Sequence, residues 1–283
     1  MNPDLQAACE SAAELIAEAD ALIISAGAGM GVDSGLPDFR GNSGFWQAYP
    51  ALAQARLDFT QVASPQTFVQ YPALAWGFYG HRLQLYRRTV PHAGFAILRR
   101  WAARMRLGAR IYTSNVDGQF QIAGFDESAV HECHGSIHHL QCTTACSAGI
   151  WKAEAFEPVV DEAACRLLSP LPRCPHCGAL ARPNILMFGD GAWRPERTEA
   201  QQRQEDAWLQ ALARARARVV LVELGAGTAV PSVRYFGQYV GHAVNARLVR
   251  INPRESAVQH PQDVAIASGA LAALEQIDAL LAR

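Results

Sequence analysis

Short apolar runs alternate with longer segments of helical periodicity along most of the chain. Four runs predict buried strands and a weaker fifth follows them: Ala21–Ser25, Arg110–Thr113, Val219–Glu223, Arg247–Ile251 and Val264–Ala267. Their continuous β-branched character is typical of parallel strands that are covered on both faces. The final segment, residues 270–281, has apolar positions at helical spacing, and we expect it to pack against the sheet. The pattern predicts an α/β fold around a parallel sheet.

Two segments interrupt this alternation. Residues 42–91 are rich in aromatic side chains and predict a helical excursion that begins with a mobile loop. Residues 137–182 contain two close cysteine pairs and show no clear period, as expected of a small module held by a metal. We therefore expect a large domain built from residues 1–41, 92–136 and 183–283, and a smaller helical and metal-binding domain built from the two interrupting segments.

Composition excludes several classes of function. The formal net charge of −1 leaves no basic footprint, which argues against nucleic-acid binding as the main role. Residues 1–20 contain no Lys or Arg and no long apolar stretch, so we expect neither a signal peptide nor a membrane span. Seven cysteines, four of them in two tight pairs, favour an intracellular metal site over a disulfide framework. We expect a cytoplasmic protein without a membrane or nucleic-acid partner.

The first predicted strand runs into a turn with glycines at 27, 29 and 31. Glycines at the end of a strand allow backbone N–H groups to approach the phosphates of a ligand, since no Cβ intervenes. A standard dehydrogenase would instead need G-x-G-x-x-G and an acidic residue closing a second strand about 20 residues later. The aromatic segment lies where that strand should be, so a dehydrogenase is disfavoured. The candidate cofactor contacts here are Gly27, Ala28, Gly29, Asp38, Phe39 and Arg40.

Polar residues follow the second predicted strand. Ser114, Asn115 and Asp117 would lie at the carboxyl end of the sheet, where open α/β sheets bind ligands. The alternative interpretation is an Asx-turn that only caps the next segment. His134, directly before a glycine, is a candidate general base because histidine titrates near neutral pH, although a lone histidine is usually structural. His131 is expected to be a surface residue or a neighbour of the site.

The two cysteine pairs predict a zinc site. Cys142 and Cys146 form the first pair, and Cys174 and Cys177 form the second. Four thiolates fill a tetrahedral site and leave no position for water, so the zinc would be structural. The alternative is a set of unliganded buried thiols.

In their order along the chain, these motifs resemble the sirtuin (Sir2-like) family of NAD-dependent protein deacylases, as a divergent member of bacterial type. The resemblance implies an inverted-Rossmann-type NAD-binding domain and a zinc ribbon. It also implies roles for the residues above: Phe39 shields the reacting sugar, Arg40 orients the cofactor, Asn115 and Asp117 hold the ribose and the nicotinamide amide, and His134 activates a ribose hydroxyl. Ser114 replaces the glutamine that the family usually has.

The resemblance extends to the second half of the chain. The turn formed by Gly225, Ala226 and Gly227 occupies the place of a family Gly-Thr-Ser turn, although a register shifted to Gly227-Thr228-Ala229 remains open. Asn252 matches a residue that contacts the adenosine ribose. Phe188 and Gly189 belong to a segment that resembles the family's binding strand for acyl-lysine peptides, which works by β-augmentation.

Tyr79 and Arg82 are three residues apart and would share one face of a helix. They resemble a Tyr-x-x-Arg pair by which one sirtuin class recognises malonyl, succinyl or glutaryl lysine. A guanidinium can bind a carboxylate through two parallel hydrogen bonds. The alternative is an amphipathic helix with a snorkelling arginine.

The resemblance implies an NAD-dependent protein-lysine deacylase that acts on an acylated protein or peptide, with NAD and a structural Zn²⁺ as cofactors. The products would be nicotinamide and an O-acyl-ADP-ribose. Two alternatives use the same residues: mono-ADP-ribosyl transfer to a protein, which needs no acyl-transfer base, and a non-catalytic NAD-binding module.

Overall fold

The computed structural model describes residues 3–38, 41–144, 146–147 and 149–282. Its strands are β1 (Ala21–Ala26), β2 (Ala109–Thr113), β3 (Val130–Glu132), β4 (Gly135–Cys142), β5 (Ile150–Lys152), β6 (Val160–Asp161), β7 (Arg166–Leu167), β8 (Ala181–Ile185), β9 (Val219–Leu224), β10 (Arg247–Ile251) and β11 (Val264–Ile266). Its α-helices are α1 (Pro3–Glu18), α2 (Gly41–Ala48), α3 (Pro50–Gln54), α4 (Phe59–Val62), α5 (Pro65–Gln70), α6 (Pro72–Arg88), α7 (Ala93–Arg104), α8 (Gln119–Ile122), α9 (Glu196–Ala215), α10 (Ser232–Val244) and α11 (Ala270–Leu281). Two 3₁₀ turns span Ala28–Ser34 and Glu127–Ala129.

The largest sheet has six parallel strands in the order β11-β10-β9-β1-β2-β3 and is covered by helices on both faces. All five predicted strands are present in it, and the predicted α/β fold class is confirmed. Strands β1 and β9 are buried along their whole length because helices cover both faces of the sheet. Helices α1, α7 and α11 pack on one face, and α9 and α10 pack on the other.

A second hydrophobic core lies beside the sheet and contains most of the aromatic segment. Trp76 and Phe78 of α6 and Phe45 of α2 are fully buried in it, together with residues of β4, β7 and β8. Helices α2 and α3 occupy the start of this segment, where a mobile loop was expected, and Pro50, Pro65 and Pro72 begin α3, α5 and α6. Proline suits the first helical position, because its missing N–H would have no intrahelical partner there. The two-domain division stays a prediction, which these separate cores favour.

Strand β3 was not predicted. It has only three residues, and two of them, His131 and Glu132, are polar yet buried. Helix α9 supplies their partners: Glu205 Oε2 lies 2.7 Å from His131 Nδ1, and Arg197 Nη2 lies 2.6 Å from Glu132 Oε2. Among the residues that the structure describes, no helix is both long and apolar enough to cross a membrane.

Candidate functional site

A cavity of about 630 Å³ opens at the carboxyl ends of β1, β2 and β9. It brings together most of the residues predicted from the sequence. Those lining it are Gly27, Ala28, Asp38, Tyr79, Arg82, Ser114, Asn115, Asp117, His134, Phe188, Gly225, Ala226 and Gly227. Gly29, Gly189 and Asn252 lie outside this lining, and Phe39 and Arg40 lie outside the described residues.

The turns after β1 and β9 pack directly against each other. A Cβ on Gly29 would come within 2.7 Å of the Gly225 Cα, and one on Gly27 within 2.9 Å of the Ala226 Cα. The Gly29 N–H donates to the Gly225 carbonyl at 3.0 Å, and Gly225 itself adopts a φ of +60°. These glycines are therefore required by the backbone contact between the two turns, in addition to any contact with a ligand.

The Ala226 carbonyl is held by two buried side chains. Asn252 Nδ2 donates to it at 2.9 Å, and Arg234 Nη2 donates at 2.7 Å. Arg234 also pairs with Glu223, which is fully buried at the end of β9, and Arg250 pairs with the same carboxylate. The side chain of Asn252 thus stabilises the predicted turn by a hydrogen bond to the backbone of that turn. Arg234 was not predicted, and an arginine in an amphipathic helix gives no sequence signal of this contact.

The polar segment after β2 is tied to the first turn. Asn115 Nδ2 donates to the Gly27 carbonyl at 3.0 Å. Asp117 Oδ1 accepts the Gln119 N–H at 3.0 Å, so the local cap weighed as an alternative is also present. Burial raises the pKa of Asp117 to about 6. His138 Nε2 lies 2.8 Å from the Asp117 carbonyl oxygen and fixes the backbone of this segment from β4.

His134 projects into the wall of the cavity after β3. Its Nε2 lies 3.0 Å from the hydroxyl of Ser232, the first residue of α10. Burial lowers the pKa of His134, and a hydrogen bond with the backbone of Ser114 opposes that shift. A lowered pKa keeps the imidazole neutral near pH 7, as a general base must be. His131 is no surface residue, since it is buried and paired with Glu205 away from the cavity lining.

Tyr79 and Arg82 face the cavity from α6 and are both buried. The alternative of an arginine that snorkels to the surface is wrong, since Arg82 is only 8% exposed. Its Nε and Nη2 both donate to the Tyr86 hydroxyl, at 2.9 and 2.7 Å, and the guanidinium lies 5.1 Å from the centroid of the Phe78 ring. Tyr86, which also lines the cavity, was not predicted, although its spacing of four from Arg82 on a helix was a usable signal.

The segment after β8 forms the rim of the cavity. Phe188 is 43% exposed, its N–H donates to the Ala63 carbonyl at 3.0 Å, and Gly189 adopts a φ of +66°. A buried pair holds the segment in place: Arg182 Nη1 and Nη2 donate to the two carboxylate oxygens of Asp190 at 2.7 and 2.8 Å. The result is an apolar side chain presented to solvent on a fixed backbone.

The four predicted cysteines form a separate cluster. The sulfur atoms of Cys142, Cys146, Cys174 and Cys177 all lie within 4.8 Å of one another. Hydrogen bonds from the backbone of Ala179 and the hydroxyl of Thr144 lower the pKa of Cys177, which favours the thiolate that a metal requires. This donor set fits a closed tetrahedral zinc site.

Comparisons with known proteins agree with this arrangement. The model of the Sir2 family matches residues 27–210, which include the glycine turn, His134 and the four cysteines. NAD-dependent protein deacylase 1 of Pseudomonas aeruginosa is 31% identical over 252 residues, covering 88% of this chain and 90% of that protein. The NAD-dependent protein deacylase of Thermococcus kodakarensis is 30% identical over 257 residues, covering 90% of this chain and 88% of that protein. A solved structure of a mutant Sir2 homologue with ADP-ribose has a TM-score of 0.66 and 26% identity, covering 96% of this chain and 94% of that one.

Proposed function

Because the chain belongs to the Sir2 family, we propose that it is an NAD-dependent protein-lysine deacylase. The reaction transfers the acyl group to ADP-ribose, which makes the enzyme a transferase, and releases nicotinamide. The observation that carries the proposal is that Asn115, Asp117 and His134 line one cavity at the carboxyl ends of three parallel strands. Relatives similar over most of the chain bear the name NAD-dependent protein deacylase.

The residues present fit NAD. The cavity volume of about 630 Å³ is typical of small-molecule sites, and its lining is apolar with a few convergent polar groups. The turns Gly27–Gly29 and Gly225–Gly227 would hold the phosphates and the adenosine ribose, with Asn252 supporting the second turn. When bound, NAD supplies an electrophilic ribose carbon whose leaving group is nicotinamide. Phe39 and Arg40 would cover and orient this ribose, as the resemblance implies.

The protein's own groups hold the reactants and move one proton. Asn115 would orient the ribose, and Asp117 would accept the N–H of the nicotinamide amide. With a pKa near 6, the Asp117 carboxylate is ionised above neutral pH. His134, neutral in its buried position, would take the proton of a ribose hydroxyl so that the hydroxyl oxygen can receive the acyl group.

For the acyl group, we propose an acidic chain such as succinyl or malonyl besides acetyl. Support comes from Arg82, whose buried guanidinium lies on the cavity wall beside Tyr79 and Tyr86. The fixed segment around Phe188 and Gly189 would receive the peptide. A cluster of four thiolates that fits zinc favours the reducing cytoplasm as the location of the protein.

The test is nicotinamide release from NAD with no peptide, with an acetyl-lysine peptide and with a succinyl-lysine peptide. Acyl-peptide-dependent release, lost in Asp117→Ala, is the expected result. Loss of acyl transfer in His134→Ala, with nicotinamide exchange retained, would assign the base. Release without any peptide, with ADP-ribose deposited on a protein, would instead establish ADP-ribosyl transfer. NAD binding without release in any arm would leave only a binding module.

A further inference from the structure

The side chain of Ser232 contacts the candidate base directly. Ser232 begins α10, and its Oγ lies 3.0 Å from His134 Nε2, across 98 residues of sequence. Both residues are partly buried, so bulk water competes only partly for this hydrogen bond. Among the described residues, His134 is the only hydrogen-bond partner that the structure gives to this hydroxyl.

The start of α10 is fixed independently of this contact. Arg234, two residues further on, donates to the Ala226 carbonyl at 2.7 Å and to the Glu255 carbonyl at 2.7 Å. Val233, between them, lines the same cavity as His134. Ser232 is therefore carried by a helix end that is anchored to the turn after β9. A hydroxyl held this way can set the orientation of the ring, whereas a freely rotating surface serine could not.

The contact with Ser232 fits one tautomer of the ring. A neutral imidazole has one N–H donor and one acceptor nitrogen. Donation from the Ser232 hydroxyl requires Nε2 to be the acceptor and the ring proton to lie on Nδ1. In this tautomer Nε2 is also the nitrogen that can take a proton.

We propose that Ser232 is a positioning residue for His134: its hydroxyl donates to Nε2 and holds the ring neutral, in one tautomer and one orientation in the cavity wall. This inference rests on the proposed function, in which His134 is the base. The acceptor nitrogen is then the one that receives the ribose proton, once the ribose hydroxyl takes the place of the Ser232 hydroxyl at Nε2. Ser232 does not line the cavity, so it is assigned no nucleophilic role.

The first measurement uses the zinc-loaded, cofactor-free protein. The ¹⁵N and ¹H resonances of the His134 ring, assigned by their loss in His134→Ala, report its tautomer and its pKa. We expect Nε2 to be unprotonated at pH 7.5. A hydrogen bond to the neutral ring lowers its pKa, so Ser232→Ala should raise the pKa by roughly half a unit to one unit. Ser232→Thr, which keeps the hydroxyl, should restore the native value.

Enzyme kinetics supply the second measurement. The acid limb of the kcat/KM profile, which reports the pKa of the free enzyme, should move to higher pH in Ser232→Ala, in step with the ring pKa, and return in Ser232→Thr. Nicotinamide exchange, which does not use the base, should change little. The native protein and the two Ser232 variants share the other titratable side chains that line the cavity, so these do not contribute to the difference: Asp38, Tyr79, Arg82, Tyr86 and Asp117.

The outcomes distinguish a failure of the Ser232 positioning role from a failure of the proposed function. A protonated Nε2 in the native protein, or an unchanged ring pKa in a folded Ser232→Ala, overturns the positioning role whatever the activity. If Ser232→Ala does not fold, the native tautomer and the Ser232→Thr titration decide. If the ring behaves as expected but the native protein releases no nicotinamide with any acyl-peptide, the proposed function fails while the contact between Ser232 and His134 stands.

Discussion

Asp117→Asn should make the ligand-free protein more stable while it abolishes the reaction. Asp117 is 8% exposed, and burial raises the pKa of its carboxyl group to about 6 from an ordinary value of 3.8. The folded protein therefore binds a proton more tightly than the unfolded chain. As the pH rises through this window, the free energy of unfolding falls, because the folded state must bury a charge. Asparagine has nearly the same shape and never carries that charge.

The magnitude follows from the shift. About two pKa units at about 1.4 kcal/mol each correspond to a cost of about 3 kcal/mol at pH 8, where both states are ionised, and to about half of that at pH 5. The amide oxygen of asparagine can still accept the Gln119 N–H. The substitution should therefore recover part of the cost at pH 8.

Urea unfolding at pH 5 and pH 8, followed by tryptophan fluorescence, measures the difference between variant and native protein. Asp33→Asn is the matched control, because Asp33 also accepts one backbone N–H, from Leu271 at 2.8 Å, but is exposed. We expect Asp117→Asn to gain stability at pH 8, with a smaller gain at pH 5, and the control to show no such dependence. An Asp117→Asn protein less stable than the native one at pH 8 would show that burial of the Asp117 charge does not destabilise the fold.

Three further predictions follow from other contacts. Arg82→Met should lower kcat/KM for a succinyl-lysine peptide by roughly 10- to 100-fold relative to an acetyl-lysine peptide, because a charge-assisted hydrogen bond is lost; equal losses for both peptides would contradict this. Within the part of the chain that the structure describes, Arg234→Met leaves Glu223 with Arg250 as its one ion-pair partner and the Ala226 carbonyl with Asn252 as its one side-chain donor. The variant should therefore raise KM for NAD and cost up to about 3 kcal/mol of unfolding free energy in a urea titration. A strong chelator, or Cys177→Ser, should remove about one zinc ion per chain by elemental analysis and lower the melting temperature, since a closed thiolate site contributes directly to folding; a zinc-free protein of native stability would contradict it.

The sheet was predictable because its chemistry is local. A strand covered on both faces must be apolar along its length, and β1 and β9 meet that requirement residue by residue. Strand β3 was not predicted because its buried residues His131 and Glu132 are polar. Their hydrogen-bonding partners are on α9, about 70 residues further along the chain. A polar residue whose charge is neutralised by a distant element has the same sequence signature as one in solvent.

Some residues of the candidate site were likewise predictable from local sequence, and others were not. Asn115, Asp117 and the two glycine turns directly follow strands, and parallel topology brings the carboxyl ends of those strands together, so their convergence follows from the strand pattern. Tyr86 reaches the cavity only because α6 packs with one particular face toward it. The rotation of a helix about its axis depends on the whole second core, which local spacing does not describe.

The contacts of the first turn of α10 could not be predicted from the sequence. This turn contacts two parts of the site. Ser232 contacts the candidate base, and Arg234 holds the Ala226 carbonyl in the turn that would receive the cofactor. Both contacts therefore come from one helix turn, which Arg234 also joins to the buried Glu223. The two side chains are two residues apart in sequence, but their partners lie in different turns: His134 between β3 and β4, and Ala226 after β9.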